Sequence, residues 1–135
     1  MDYKEKVAFL RQYRDSLRRE TLLLEELAEL RSRAEGMTRV LNGMPGAPSD
    51  GSALPRAVER ILDAQNKLEE QIEACLVLRS QAILAISAVQ DEMQREVLRR
   101  RYILGQRFET IAEGMGIVTR RVYQLHRLAV NGLDL

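Results

Sequence analysis

From about Tyr3 to Leu41 the apolar positions Leu10, Tyr13, Leu17, Leu24, Leu27, Ala34, Met37 and Leu41 are three, four or seven residues apart. That is the spacing of a coiled-coil seam. The stretch has no proline and one glycine, Gly36, so a single long helix is predicted, bent or ended at Gly36. Leu22-Leu23-Leu24 widens the stripe enough to touch more than one partner. Asn42 to Pro55, NGMPGAPSDGSALP, holds all three prolines of the chain and three glycines, a composition that cannot sustain a helix and predicts a loop over 42–55.

A second stripe follows. Val58, Ile61, Gln65, Leu68, Ile72, Cys75, Arg79, Ala82, Ile86 and Val89 alternate gaps of three and four, which predicts a helix from Arg56 to about Gln90, roughly 50 Å long. Neither helix can cover its stripe alone. The two fold back as an antiparallel hairpin across the loop, or each pairs with the copy in another subunit. Gln65 and Arg79 on the seam suit a register-fixing role, although Arg79 can also turn its head to solvent.

Asp91, with Gln94 three residues on, has the form of a capping box that opens a new helix; the competing reading runs the previous helix on through Met93. Either way helix is predicted to about Leu104, with Val97, Leu98, Tyr102 and Ile103 facing inward and Gly105 as the stop. Two short helices complete the chain, Phe108 to Gly114 and Thr119 to about Asn131.

The last two carry the functional signal. A steep crossing of two helices needs a small residue at the contact and a glycine in the left-handed turn; Ala112 and Gly116 stand at those positions. Ile111, Met115, Ile117, Val122 and Leu125 point into the wedge between the helices. The final helix is left with Thr119, Arg120, Arg121, Tyr123, Gln124 and Arg127, side chains able to reach phosphates and base edges. Arg107 and Arg100 are further candidate DNA contacts, and Arg99, Arg100 and Arg101 read equally as a phosphate clamp or a solvated helix face.

Charge sharpens this picture. The net charge is only +1, but from Arg95 to Asn131 eight arginines stand against Glu96, Glu109 and Glu113, an excess of five. Only this end is suited to a polyanion. Aromatic residues are 4% and tryptophan is absent while charged residues are 30%, which fits long amphipathic helices better than one large core. No apolar run approaches the roughly 18 residues of a membrane span, and the charged start MDYKEKVAFLRQYRD lacks a leader's apolar segment, so no membrane partner and a cytoplasmic location are expected. The lone Cys75 excludes an internal disulfide and reads as a small buried hydrophobe. His126 has no second ligand at metal-binding spacing. Pairs such as Glu25-Glu26 and Glu69-Glu70 read as solvated faces, and no nucleophile set or phosphate-cradling loop is present. No enzyme activity, metal or cofactor is expected.

The run VLRRRYILGQRFETIAEGMGIVTRRVYQLHRLAV resembles region 4 of the sigma-70 family, the part that docks on the promoter −35 element. Leu98-Arg99-Arg100-Arg101-Tyr102, Ile111-Ala112-Glu113, Met115-Gly116-Ile117 and Val122-Tyr123-Gln124-Leu125 carry the likeness. RRVYQLHRLAV with the arm that enters through AISAVQDEMQREVLRRRYI is also similar to short phage regulators of the ArpU type. The resemblance implies base-facing roles for Thr119, Arg120, Tyr123 and Gln124, with Arg121 on the backbone. Arg120 and Tyr123 differ in character from the housekeeping residues, so the consensus element is not carried over. Arg107 and Val118 stand where a serine or threonine cap is usual, and a cap at Thr119 would shift the first reading residue by one. Tyr3, Phe9 and Tyr13 are the only aromatics ahead of Tyr102, so a complete sigma factor with its aromatic melting domain is not expected.

The expected architecture is all-α: a helical oligomerisation arm over 1–90 with its loop at 42–55, then a sigma-70 region 4-like helix-turn-helix over 91–135. The expected function is a phage-type transcription regulator, a homodimer on double-stranded DNA with residues 119–131 in the major groove. Two alternatives stay open: a small terminase-like DNA-packaging subunit, and an adaptor that binds RNA polymerase.

Overall fold

The computed structural model describes residues 1–43 and 51–135, with side chains up to residue 39 and from residue 51 on; within them every regular element is helical. The first helix, α1, runs Tyr3–Gly43 and the second, α2, Ala53–Ser87. A short α3, Glu92–Leu98, passes into a wide π turn at Arg99–Ile103, and α4, Phe108–Met115, and α5, Thr119–Asn131, follow. No helix among the described residues is long and apolar enough to cross a membrane.

Local chemistry explains most helix ends. Asp2 and Glu5 form a reciprocal cap on α1: the Glu5 amide donates to Asp2 Oδ1 at 2.8 Å and the Asp2 amide to Glu5 Oε2 at 2.8 Å, which satisfies donors the first turn leaves without partners. The helix continues through Gly36; one glycine costs only about 1 kcal/mol against long helical flanks. The expected loop at 42–55 lies mostly outside the described residues. Its far end is corrected, because α2 already begins at Ala53: Pro55 falls in the first turn, where its missing N–H is not needed.

Between α2 and α3 the chain breaks rather than running on. Asp91 takes an extended backbone (φ −71°, ψ 123°) and its Oδ1 accepts from the Gln94 amide at 2.9 Å. The π turn then carries the bond from the Leu104 amide to the Arg99 carbonyl, at 3.1 Å. The buried pairs Val97-Leu98 and Tyr102-Ile103 lie one such repeat apart, so both can turn inward. Gly105 stops the helix at φ 69°, where a Cβ would also collide with the Arg14 guanidinium.

Packing divides the chain into two compact units, Met1–Leu17 with Ala74–Leu135, and Arg18–Glu73. The expected boundary at residue 90 falls inside the first unit. Leu10 and Tyr13 of α1 with Cys75, Ala82 and Ile86 of α2 share one apolar cluster with Leu98, Tyr102, Ile103, Ala129, Val130 and Leu133. The Lys6 ammonium adds bonds to the carbonyls of Asn131 (3.1 Å) and Leu133 (2.8 Å), cations being favoured at a helix C-terminus.

In the Arg18–Glu73 unit, Leu27 packs with Ala64 and Leu68, flanked by Leu23, Leu30 and Ile61. The seams differ by one residue from expectation at alternate positions. Leu24 is 49% exposed and Leu23 packs instead; on α2, Val58 (46%) and Ile72 (37%) are open to solvent, as is Arg79. Ala57, Ala64, Cys75 and Ala82 are buried. The row through Ala57, Ile61, Ala64, Leu68, Gln71, Cys75, Leu78 and Ala82 has the same alternating gaps, and its small residues let a partner backbone approach closely.

Candidate nucleic-acid interface

The last two helices are joined through Gly116, which takes the left-handed conformation (φ 68°, ψ 32°) while the Ile117 amide donates to the Ala112 carbonyl at 3.0 Å. Val118 is extended (φ −76°, ψ 151°) and Thr119 is the first helical residue. Thr119 therefore does not cap α5, and the one-residue shift that such a cap would bring does not arise. Neither Arg107 nor Val118 makes a side-chain cap. Burial supplies the stability that those caps do not. Val97, Ile111, Ala112, Val122 and Leu125 form a cluster against which Phe108, Met115 and Ile117 pack, so the apolar residues of α4, α5 and the turn between them share one cluster with Val97 of α3.

Helix α5 separates cleanly into two sides. Val122, Leu125, His126, Ala129 and Val130 are buried, at the spacing of one helical face. Arg120, Tyr123, Gln124 and Arg127 repeat the same three-and-four spacing on another face and are exposed. With Tyr3 and His126 they line one open depression. Arg121 lies beside this row, its Nη1 3.4 Å from Gln124 Oε1. Thr119 is half-buried in the first turn and Arg107 is exposed at the start of α4, outside the residues lining the depression.

Arg100 has a different setting. Its Nε donates to Glu96 Oε1 at 2.7 Å and the side chain is only 25% exposed, with its guanidinium beside Gly114. Arg99 Nε stands 3.8 Å from the same carboxylate. Arg101 lies over the Phe108 ring, 4.3 Å from its centroid, and donates to the Gln106 carbonyl at 3.0 Å. The three consecutive arginines thus have separate tasks, two facing Glu96 and one stacked on an aromatic ring.

Phe108 also supports the exposed side of α5. Its ring lies 4.6 Å from that of Tyr123, tilted by 32°, a close ring contact that holds the half-exposed tyrosine in place. Behind it His126 meets Phe108 edge-on at 5.2 Å, with Tyr102 Oη 2.6 Å from Nε2 and Tyr3 Oη 3.4 Å from Nδ1. Burial pushes the His126 pKa down to about 4, helped by the nearby charges of Arg101 and Arg11. Burial pushes the Tyr102 phenol up to about 12, against the opposing pull of Arg11 and Arg101. His126 is therefore a neutral packing residue that one phenol can use as acceptor and the other as donor.

Sequence reasoning did not find Tyr3, a wall of the depression, or Lys6, which joins α1 to the end of α5. Both act across more than a hundred residues of sequence, and no local pattern marks them. No family model, curated protein or solved structure matches the chain.

Proposed function

We propose that this chain is a sequence-specific, DNA-binding transcription regulator of the phage type. In this reading α4, the Gly116 turn and α5 are a helix-turn-helix like that of sigma-70 region 4. Arg120, Tyr123 and Gln124, with Thr119 at the helix start, face base edges in the major groove, and Arg121, Arg127, Arg107 and Arg100 serve the backbone. One observation carries the reading: the row Arg120, Tyr123, Gln124 and Arg127 is open to solvent, while the opposite side of the same helix is buried. Arginine suits guanine and glutamine suits adenine, each through two hydrogen bonds. Arg100, held by Glu96, is the weakest member of the set.

The long helix pair is proposed to be an antiparallel hairpin that also joins two copies of the chain. Leu22, Leu24, Val58 and Leu62, exposed in the Arg18–Glu73 unit, are apolar surface for that purpose. No chemical step is assigned to the protein.

Selection of bound duplexes from a random DNA pool, followed by footprinting, tests the reading. Arg120→Ala with Gln124→Ala should weaken binding to the selected site by about 1–3 kcal/mol for each two-bonded base pairing removed. An unchanged footprint in the double variant would refute the assignment. The mass in solution separates the leading reading from a packaging role, a dimer favouring regulation and a closed ring favouring packaging.

A further inference from the structure

The open side of α5 continues onto the first turns of α1. Tyr3 is a wall shared by two depressions, one lined by the reading residues of α5, the other by Lys4, Val7, Ala8, Arg11 and Asp15. These surfaces are held in fixed register. Lys6 bonds the carbonyls of Asn131 and Leu133, Tyr3 reaches His126, and Leu10, fully buried, shares its cluster with Ala129 and Val130.

Lys4, Ala8 and Arg11 are exposed and succeed one another at gaps of four and three, on one helix face. Lys4 to Arg11 spans roughly 10 Å of helix axis, close to the axial rise of about three phosphates along one DNA strand. Arg11 lines the same depression as Tyr3, whose hydroxyl reaches His126 of α5. Of the acids at this end, Asp2 and Glu5 are engaged in the reciprocal cap, and Asp15 lines the same depression as Arg11.

We propose that Lys4 and Arg11 grip the phosphate backbone of the duplex whose bases α5 reads, making the start of α1 a second part of the DNA interface. This rests on the DNA-reading assignment of α5. A reading helix in the major groove is flanked on both sides by backbone, and cations held rigidly alongside it meet phosphates at any sequence.

The test is the salt dependence of binding by the full chain to a duplex selected by the wild type, with a scrambled duplex as reference. Lys4→Gln with Arg11→Gln should reduce the slope of log K against log salt by about 1.8, two phosphate contacts at about 0.9 each, and leave the preference for the selected duplex intact. Ala8→Lys adds a cation to the same row and should steepen the slope by about 0.9, a gain that unfolding cannot mimic. Unchanged slopes in both variants, with Arg120→Ala and Gln124→Ala still abolishing the preference, would overturn this inference and leave the α5 reading standing. A wild type with no preferred duplex would overturn both.

Discussion

Acidification should destabilise the Met1–Leu17 and Ala74–Leu135 unit through His126. The ring is 7% exposed and lies among Tyr102, Tyr3 and Phe108, where burial, with Arg101 and Arg11, lowers its pKa from 6.5 to about 4. A protonated ring would carry two donors and no acceptor, so a charged group would sit in a site already close to two arginines. On unfolding the ring regains its ordinary pKa, so the unfolded chain takes up the proton first as pH falls. The contribution of neutral His126 is therefore complete above about pH 6.5 and is lost towards about pH 4; at 1.36 kcal/mol per tenfold change in proton affinity this amounts to about 3 kcal/mol.

Carboxylates titrate in the lower part of that range, so the informative quantity is a difference. His126→Phe keeps an aromatic ring but leaves the buried Tyr102 hydroxyl without its 2.6 Å partner, a loss of about 1–3 kcal/mol at neutral pH. Urea unfolding followed by far-ultraviolet circular dichroism, from about pH 7.5 to about pH 4.5, should show this gap closing or reversing as the wild type loses most of its 3 kcal/mol. Parallel curves for the two proteins would refute the reasoning.

Two further substitutions test the elements that present α5. Gly116→Ala introduces a Cβ that meets nothing within 4 Å, so its effect is the left-handed backbone alone, a loss of about 1–2 kcal/mol in urea unfolding that Gly116→Asn should partly recover. A neutral alanine would mean the turn does not have this conformation. Asp91→Ala removes the acceptor of the Gln94 amide and should cost about 0.5–2 kcal/mol, read as a lowered melting midpoint; an unchanged midpoint would show that α3 is held by packing alone.

The ends of α4 and α5 were legible because a glycine, an apolar wedge and an abrupt return of polar residues mark them locally. The expected span Thr119 to about Asn131 matches α5, and α4 runs only one residue past the expected Gly114. Seam register on α2 was not legible for a definite reason. Two rows with the same alternating gaps share Ile61, Leu68, Cys75 and Ala82, and periodicity cannot decide whether Val58 or Ala57 faces the neighbour. Burial decides it, in favour of the alanines: Ala57 is 8% exposed and Val58 46%. The arginine run was ambiguous for a similar reason: only the fold reveals that Glu96 faces Arg99 and Arg100 and that Phe108 lies under Arg101. The unit boundary was hidden because Leu10 and Val130 join one cluster from nearly opposite ends of the chain.

That cluster dictates a timetable for synthesis. Leu10 and Tyr13 leave the ribosome more than a hundred residues ahead of Ala129, Val130 and Leu133, which help to cover them. Until those later residues arrive, a growing chain must carry Leu10 and Tyr13 without that cover, a ready target for chaperones.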